Sequence, residues 1–181
     1  MKRFLLLLCL CLSAPLTARA ATARLMSEKQ MVKAAVVIAR GTVLSAVPRR
    51  HPSGLIVTDV TLKVDRLLKA GDQGSTVRFT ELGGTLDGKT LQVPGASSFT
   101  PGEDVVVFLE QGGESLVELG VGAGKYRVFR EGSRTLVERQ VGQVFFAPVE
   151  DPKAVTAPRP NVTGPEPLEV FEERIAAEAL E

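Results

Sequence analysis

Turn signals recur every few residues through the middle of the chain, and they restrict its fold more than any other feature. Pairs of glycine or proline separate short stretches rich in Val, Leu, Phe and Thr, which favour strands. The predicted strands span residues 36–47, 55–68, 76–81, 90–93, 105–110, 116–119, 126–130 and 135–139. Asp87-Gly88 and Gly112-Gly113 are candidates for tight hairpin turns. The sequence therefore predicts a mainly β fold, a small antiparallel barrel of five or six strands.

The stretch 55–68 shows the clearest strand pattern. Apolar side chains recur at alternate positions, and polar ones such as Asp59 and Lys63 occupy the opposite parity. The apolar positions are Ile56, Val60, Leu62, Val64 and Leu68. This alternation predicts a strand with one buried and one solvated face. We expect Pro48 to end the preceding strand and to leave 48–54 as an exposed loop.

Two short helices are predicted at the ends of this β region. Ser27 is a suitable N-cap for a helix that runs to about Ala35, with Glu28 in its first turn. In the second helix, 168–181, apolar side chains recur at helical spacing among glutamates. The apolar positions are Leu168, Phe171, Ile175 and Ala179. We expect this C-terminal amphipathic helix to dock on its own barrel, with docking on a partner protein as the alternative.

The first twenty residues have the anatomy of a secretory signal peptide. Lys2-Arg3 precedes an apolar run over residues 4–12, and Ala18-Arg19-Ala20 provides a cleavage site. The apolar run is too short to span a membrane. We expect residues 1–20 to be removed and the mature chain, which has no transmembrane segment, to be exported to the periplasm or the extracellular space.

A proline-rich segment separates the β region from the last helix. Six of the twenty residues from 148 to 167 are proline, a composition typical of extended linkers. The predicted organisation is a signal peptide over 1–20, a β-barrel domain over 21–147, the linker over 148–167 and the helix over 168–181.

Removing the leader leaves a composition that excludes several functions. The leader holds both cysteines, Cys9 and Cys11, and three basic but no acidic residues, so the remaining chain has 19 basic and 21 acidic residues and a net charge of −2. This balance argues against nucleic-acid binding, which needs a clustered basic excess. One histidine, His51, remains, whereas a zinc centre needs several His or Cys ligands. We therefore predict a non-enzymatic protein with no catalytic, metal-binding or cofactor-binding residues.

The stretch Gly120-Val121-Gly122-Ala123-Gly124-Lys125 superficially resembles a phosphate-binding loop. The motif G-x-x-x-x-G-K-[ST] is not met, because Leu119 stands five positions before Gly124 and Tyr126 follows the lysine. A flexible connection between strands is the better interpretation. Candidate contact residues lie in three loops and are Arg49, Arg50, His51, Gly83, Gly84, Lys125 and Tyr126.

The order of the motifs along the chain resembles a known group of proteins. The motifs are AVVIARGTV at 35–43, TDVTLKV at 58–64, LGGTLDG at 82–88, PGA at 94–96, FTPGEDVVVFL at 99–109 and GKYRV at 124–128. Over residues 27–128 and the final helix, the chain resembles uncharacterised exported bacterial proteins and, more distantly, the OB-type barrel of netrin and tissue-inhibitor-of-metalloproteinase modules. The resemblance implies an OB-like barrel and bacterial export.

Three classes of function remain open at this point. We expect an exported, non-catalytic binding or interaction module, with another exported protein as a candidate partner, because OB-type barrels bind ligands on a strand face and its loops. An inhibitor or accessory subunit of an exported hydrolase is the alternative that the distant resemblance suggests. A hydrolase is the least favoured class, since His51 is the only imidazole in the chain.

Overall fold

The computed structural model describes residues 26–69, 74–140 and 164–180, and over these residues the fold is mainly β, as predicted. Helices α1 (Glu28–Ala34) and α2 (Leu168–Glu178) flank the strands in sequence. The strands are β1 (Val37–Arg50), β2 (Ile56–Lys69), β3 (Thr76–Leu82), β4 (Gly84–Leu86), β5 (Lys89–Leu91), β6 (Asp104–Gly112), β7 (Ser115–Glu118), β8 (Lys125–Glu131), β9 (Arg134–Arg139) and β10 (Glu166–Pro167). The predicted signal peptide and residues 148–163 of the predicted linker lie outside the described residues.

Five strands close into a ring. Neighbours follow the order β1, β2, β3, β7, β6, and β6 pairs back onto β1. Four of these five contacts are antiparallel ladders, with partners such as Val43 and Leu62 in β1 and β2. The fifth contact, between β3 and β7, is parallel and consists of one residue pair, Thr80 with Val117. The ring is therefore almost open at this point, which we call the β3–β7 seam.

Strand β1 continues beyond Pro48, so the prediction that this proline ends the strand is wrong. Pro48 pairs with Thr58 of β2, and the ladder continues until Arg50 lies opposite Ile56. The ladder with β6, on the other side of β1, ends at Thr42. At Pro48 the strand therefore has a ladder on one side only, and such an edge position tolerates proline.

Two-residue turns lie at or next to both of the predicted hairpin positions. Asp87-Gly88, with φ angles of 51° and 72°, connects β4 to β5, which confirms the predicted hairpin. The turn between β6 and β7 is Gly113-Glu114, one residue later than the predicted Gly112-Gly113, because Gly112 still pairs with Ser115.

Strand β6 contributes to both hydrophobic cores. Its residues 105–109 are completely buried, because side chains of a strand point alternately to its two faces and both faces are covered. Val107 and Leu109 fill the ring together with side chains from β1, β2 and β3. Val106 and Phe108 point the opposite way and pack against residues of α1 and α2.

The C-terminal helix docks on its own sheet. Phe171 and Ile175 of α2 are completely buried, and the Phe171 ring centroid lies 4.8 Å from that of Tyr126 in β8. Strand β10, whose two residues fall within the predicted linker, pairs with β9 immediately before the helix begins. The helix is therefore part of the folded domain.

Ion pairs surround the apolar contact of α2. The Arg174 guanidinium binds the carboxylates of Glu28 in α1 and Glu166 in β10, at 2.8 and 2.7 Å. On another side of the helix, the buried carboxylate of Glu172 accepts a hydrogen bond of 2.6 Å from Arg66 in β2. Charge-assisted bonds of this length fix the orientation of the helix as well as its position.

Replacing Phe171 by alanine tests the docking of α2. The change removes a completely buried ring, so we expect the free energy of unfolding to fall by about 3–5 kcal/mol. Val170, its 53% exposed neighbour on the same helix, provides the control, because Val170→Ala should change that energy by less than about 0.5 kcal/mol. Urea unfolding followed by circular dichroism measures both variants, and equally small effects would contradict the docking.

Candidate functional site

A cavity of about 310 Å³ opens at the β3–β7 seam. Its wall consists of the β1–β2 loop (residues 51–55), the start of β2, the ends of β1, β3 and β6, strand β7 and Val121. The space exists because β3 and β7 meet at one residue pair, so that side chains rather than a backbone ladder fill the rest of the seam. We call it the seam cavity.

Two buried glutamates, Glu81 of β3 and Glu118 of β7, form the floor of the seam cavity. Because Thr80 lies opposite Val117 in a parallel pair, the next residue of each strand projects to a common face. The exposed fractions of Glu81 and Glu118 are 5% and 4%, and their carboxyl groups are in hydrogen-bond contact. Glutamate is rarely buried to this extent without a partner, and here each is the partner of the other.

Both carboxyl groups of the pair have pKa values above the ordinary range of glutamate. Burial, followed by the nearby Glu118 carboxylate, raises the pKa of Glu81 to about 9. Burial also raises the pKa of Glu118, against hydrogen bonds that favour its charged form. The Ser97 hydroxyl and the Gly124 N–H each donate to Glu118 Oε1 at 3.0 Å. These hydrogen bonds favour the charged form of Glu118, so Glu81 is the member of the pair that holds its proton more strongly.

The other oxygen of Glu118, Oε2, is buried and accepts no hydrogen bond from an N–H or hydroxyl group of the described residues. The Glu81 carboxyl, which touches the Glu118 carboxyl, can donate only while it holds its proton. An unsatisfied buried acceptor costs about 1–3 kcal/mol. The oxygen is thus satisfied either by that shared proton or by a donor that enters the cavity.

Exposed apolar side chains surround the mouth of the seam cavity. Leu55, Leu82 and Val121 are 49%, 42% and 46% exposed, and all three line the cavity. Apolar side chains exposed together on a soluble protein mark interaction sites. Val121 is also strained, because its β-branched side chain sits on a backbone with φ of 49°. Strain of this kind is concentrated at functional sites.

The connection over residues 120–124, predicted to be a flexible link between strands, is closely packed at Gly122 and Gly124. A Cβ atom at Gly122 would overlap the carbonyl oxygen of Gly95. The Gly124 carbonyl accepts a hydrogen bond of 2.9 Å from the N–H of Phe108. These contacts hold the connection against the ring and fix one side of the cavity mouth.

Two of the predicted contact residues, Arg49 and His51, line the seam cavity. Arg49 forms an ion pair with Asp59, with Nε 2.5 Å from Oδ2, and this hydrogen bond lowers the pKa of Asp59. His51 is exposed, and its Nδ1 lies 2.8 Å from the Ser53 hydroxyl. The third residue of the loop, Arg50, donates instead to a backbone carbonyl of the same loop at 3.1 Å.

Gly83 and Gly84, also predicted contact residues, are closely packed against neighbouring backbone and side chains. Gly83 is buried at φ 98°, and its carbonyl accepts a hydrogen bond of 2.7 Å from the Thr58 hydroxyl. A Cβ atom would lie 2.7 Å from the Leu91 carbonyl oxygen at Gly83 and 2.5 Å from the same threonine hydroxyl at Gly84. Only glycine allows β4 to turn back this closely.

Lys125 and Tyr126, two further predicted contact residues, are buried in the structure. The Lys125 ammonium donates to the Glu103 carboxylate and to the Ser98 carbonyl, both at 2.6 Å. A buried charge persists where it is paired in this way. Tyr126 packs against Phe171, and its burial raises the pKa of its hydroxyl.

The sequence analysis did not predict the Glu81–Glu118 pair. Glu81 continues the buried parity of Val77 and Phe79 along β3, and a glutamate at such a position is the signal that could have revealed it. Its contact with Glu118 depends on a parallel register between two distant strands, which no local pattern encodes.

Comparison of the chain with protein-family models, with curated proteins and with solved structures finds no match. Neither described helix combines the length and the apolar character needed to cross a membrane. The described residues also contain no group of three or more His, Cys, Asp or Glu side chains arranged to hold a metal ion. The function is therefore inferred from the seam cavity and the residues that line it.

The proton on Glu81 should make the protein less stable as the pH rises. The folded protein keeps this proton up to a pH of about 9, whereas the unfolded chain loses it near the ordinary value of 4.5. Between these values the folded state binds more protons, so the free energy of unfolding should decline, by up to about 1.4 kcal/mol per pH unit. Glu81→Gln, which mimics the protonated acid, should flatten the decline in urea unfolding at a series of pH values.

Glu110, another acidic residue of the cavity wall, provides the matched control for that experiment. It is only partly buried, so Glu110→Gln should keep the decline seen in the unaltered protein. A flat profile in the unaltered protein, or an equal effect of both substitutions, would show that Glu81 is ionised in the folded state.

The strain at Val121 predicts that asparagine is more stable there. Asparagine adopts positive φ more readily than a β-branched residue, so Val121→Asn should raise the free energy of unfolding by about 1 kcal/mol. Val36 is equally exposed, at 47% against 46%, but lies outside the positive-φ residues, and Val36→Asn should bring no gain. Thermal unfolding of the two variants measures the difference, and equal midpoints would contradict the strain.

Proposed function

We propose that the protein is an exported, non-catalytic binding module that holds a small amphipathic ligand in the seam cavity. The observation that carries this proposal is the convergence at one place of a half-open cavity of about 310 Å³, an exposed apolar mouth and a buried polar floor. Ligand sites are concave, largely apolar and equipped with a few placed polar groups, with volumes that begin at about 300 Å³. A cavity of this size favours a small molecule over a folded partner.

The position of the cavity in the fold supports the same function. In OB-type barrels, ligands bind at the face of the second and third strands, between the loop that joins the first two strands and the loop that joins the last two. The corresponding parts of this ring are β2 and β3, the β1–β2 loop and the β6–β7 turn, and each contributes to the cavity wall or borders it. We propose on this basis that the ring is OB-like.

Export is the part of the proposal that rests on the sequence. Residues 1–20 have the basic, apolar and small-residue regions of a signal peptide. The ligand would then be a molecule of the periplasm or the extracellular space.

A hydrolase is the second candidate, because a buried carboxyl pair that shares one proton is the arrangement of aspartic proteases. Hydrolysis of glycosides fits less well, since the carboxyl groups of glycosidases stand at least about 5 Å apart, whereas Glu81 and Glu118 are in hydrogen-bond contact. Turnover of a peptide substrate that Glu118→Gln abolishes without loss of folding would favour this candidate over a binding module.

Binding of an uncharged, polarity-sensitive dye tests the proposed function. We expect the fluorescence of prodan to saturate at one dye per protein molecule. Leu82→Ser removes an apolar contact at the cavity mouth that is worth about 1–2 kcal/mol, so the Kd should rise about tenfold.

Leu44 provides the matched control for this substitution. It is 51% exposed, like the leucines of the mouth, but lies on β1 away from the cavity. Leu44→Ser should leave the Kd for prodan unchanged. If the two substitutions have the same effect, or if no saturable binding is seen, the seam cavity is not the ligand site.

A further inference from the structure

We infer that the ligand of the seam cavity carries a cationic nitrogen, an ammonium or amidinium group, on its apolar body. This inference rests on the proposed function, because it names the chemical class of the ligand that the same cavity holds. It follows from the charges around the cavity, from one buried oxygen and from the position of the apolar side chains.

The basic groups around the cavity are already neutralised. Arg49, at the end of β1, is paired with Asp59 of β2. Lys125 of β8, which lies behind Glu118, is paired with Glu103 at 2.6 Å. An incoming anion would therefore find no guanidinium or ammonium group free to bind it among the described residues of the wall. His51 is the remaining titratable base there, and it is held at the exposed rim through Ser53.

The acidic groups, in contrast, are in excess. Glu81 from β3, Glu118 from β7 and Glu110 from β6 all line the cavity, and no described basic side chain forms an ion pair with any of the three. Walls of low dielectric strengthen the attraction of such a group for a cation. The cavity is thus complementary to positive charge.

The buried floor supplies a specific acceptor. Glu118 Oε2 accepts no N–H or hydroxyl donor of the described residues and lies in a side chain that is 4% exposed. Without ligand, the proton of Glu81 is the donor within reach. An ammonium group has three N–H donors, so it can bind both carboxyl groups and take the place of that proton.

Binding of the ammonium group displaces the proton of Glu81. Neutral Glu81 and an ammonium ligand give a Glu81 carboxylate, bound to the ammonium, and one proton that leaves to the solvent. Binding of the cation should therefore release up to one proton per ligand below the pKa of Glu81, and its affinity should rise by up to about tenfold per pH unit.

The apolar mouth accommodates the rest of the ligand. Leu55, Leu82 and Val121 are exposed and line the same cavity as the buried carboxyl groups. A ligand whose nitrogen reaches the floor must place its next atoms against these side chains. A hydrated metal ion or a free ammonium ion would leave them exposed, so the arrangement favours an organic cation.

Two probes of the same size separate the head group from the body. Benzylamine and benzyl alcohol share the ring and differ in charge, and each can be titrated against prodan bound to the purified protein. We expect benzylamine to compete about tenfold more strongly than benzyl alcohol near pH 7.5, a difference of about 1.4 kcal/mol. Phenylacetate, the anionic counterpart, should not compete.

Substitution of Glu81 links the preference to the carboxyl pair. Glu81→Gln cannot lose a proton, so it should remove the advantage of benzylamine over benzyl alcohol and the dependence of the benzylamine affinity on pH. Glu110→Gln, on the same wall, should keep the pH dependence. Isothermal titration calorimetry in two buffers of different ionisation enthalpy counts the protons released.

The outcomes distinguish this inference from the function on which it rests. If prodan and benzyl alcohol bind but benzylamine is no stronger, or if phenylacetate is the best competitor, the cation preference is wrong and the binding module stands. If no probe binds to the unaltered protein, both fail. Release of a proton with benzylamine, lost in Glu81→Gln, supports both.

Discussion

The whole domain depends on the position of β6, which joins three strands and two hydrophobic cores. Its first half pairs with β1 on one side and β8 on the other, and its second half pairs with β7. Five consecutive residues, 105–109, are completely buried and alternate between the interior of the ring and the layer under the helices. A slip of one residue would exchange these two sets of side chains, so the ring and the helical layer are fixed relative to each other.

The seam cavity is a consequence of how the ring closes. Strand β7 is held by four pairs on the side of β6 but by one pair on the side of β3. Where a longer ladder would bring backbone groups together, the side chains of Glu81 and Glu118 meet instead. Natural proteins depart from the rule of apolar interiors mainly at functional sites. The part of the ring with the fewest backbone pairs is therefore also the part that holds the buried carboxyl pair.

The elements of the fold were predictable, whereas the site was not. Alternation along β2 and the N-cap at Ser27 are local patterns, and the structure contains both elements. The prediction from Pro48 was wrong because a proline ends a strand only where a ladder needs a backbone N–H at its position. Whether a second ladder reaches that position is a property of the whole sheet. Likewise, the short polar motif Lys125-Tyr126 resembles a surface loop, but Glu103 and Phe171 arrive from distant parts of the chain to bury it.

The contacts of Glu81 also could not be predicted from local sequence patterns. Its burial follows from the parity of β3, but its pKa depends on Glu118, which reaches it through the one parallel contact of the ring. Sequence patterns specify which side of a strand faces inward. They do not specify which strand lies across the gap.

The docking of α2 has a consequence for the order in which the chain folds. Phe108 and Tyr126, on one face of the sheet, are covered by Phe171, which comes more than forty positions later in the sequence. While a ribosome is still producing the segment after β9, α1 is the only described helix available to cover that face, and the apolar side chains that α2 will cover are open to association with other chains. The nascent protein therefore needs protection from aggregation until its last helix has been made.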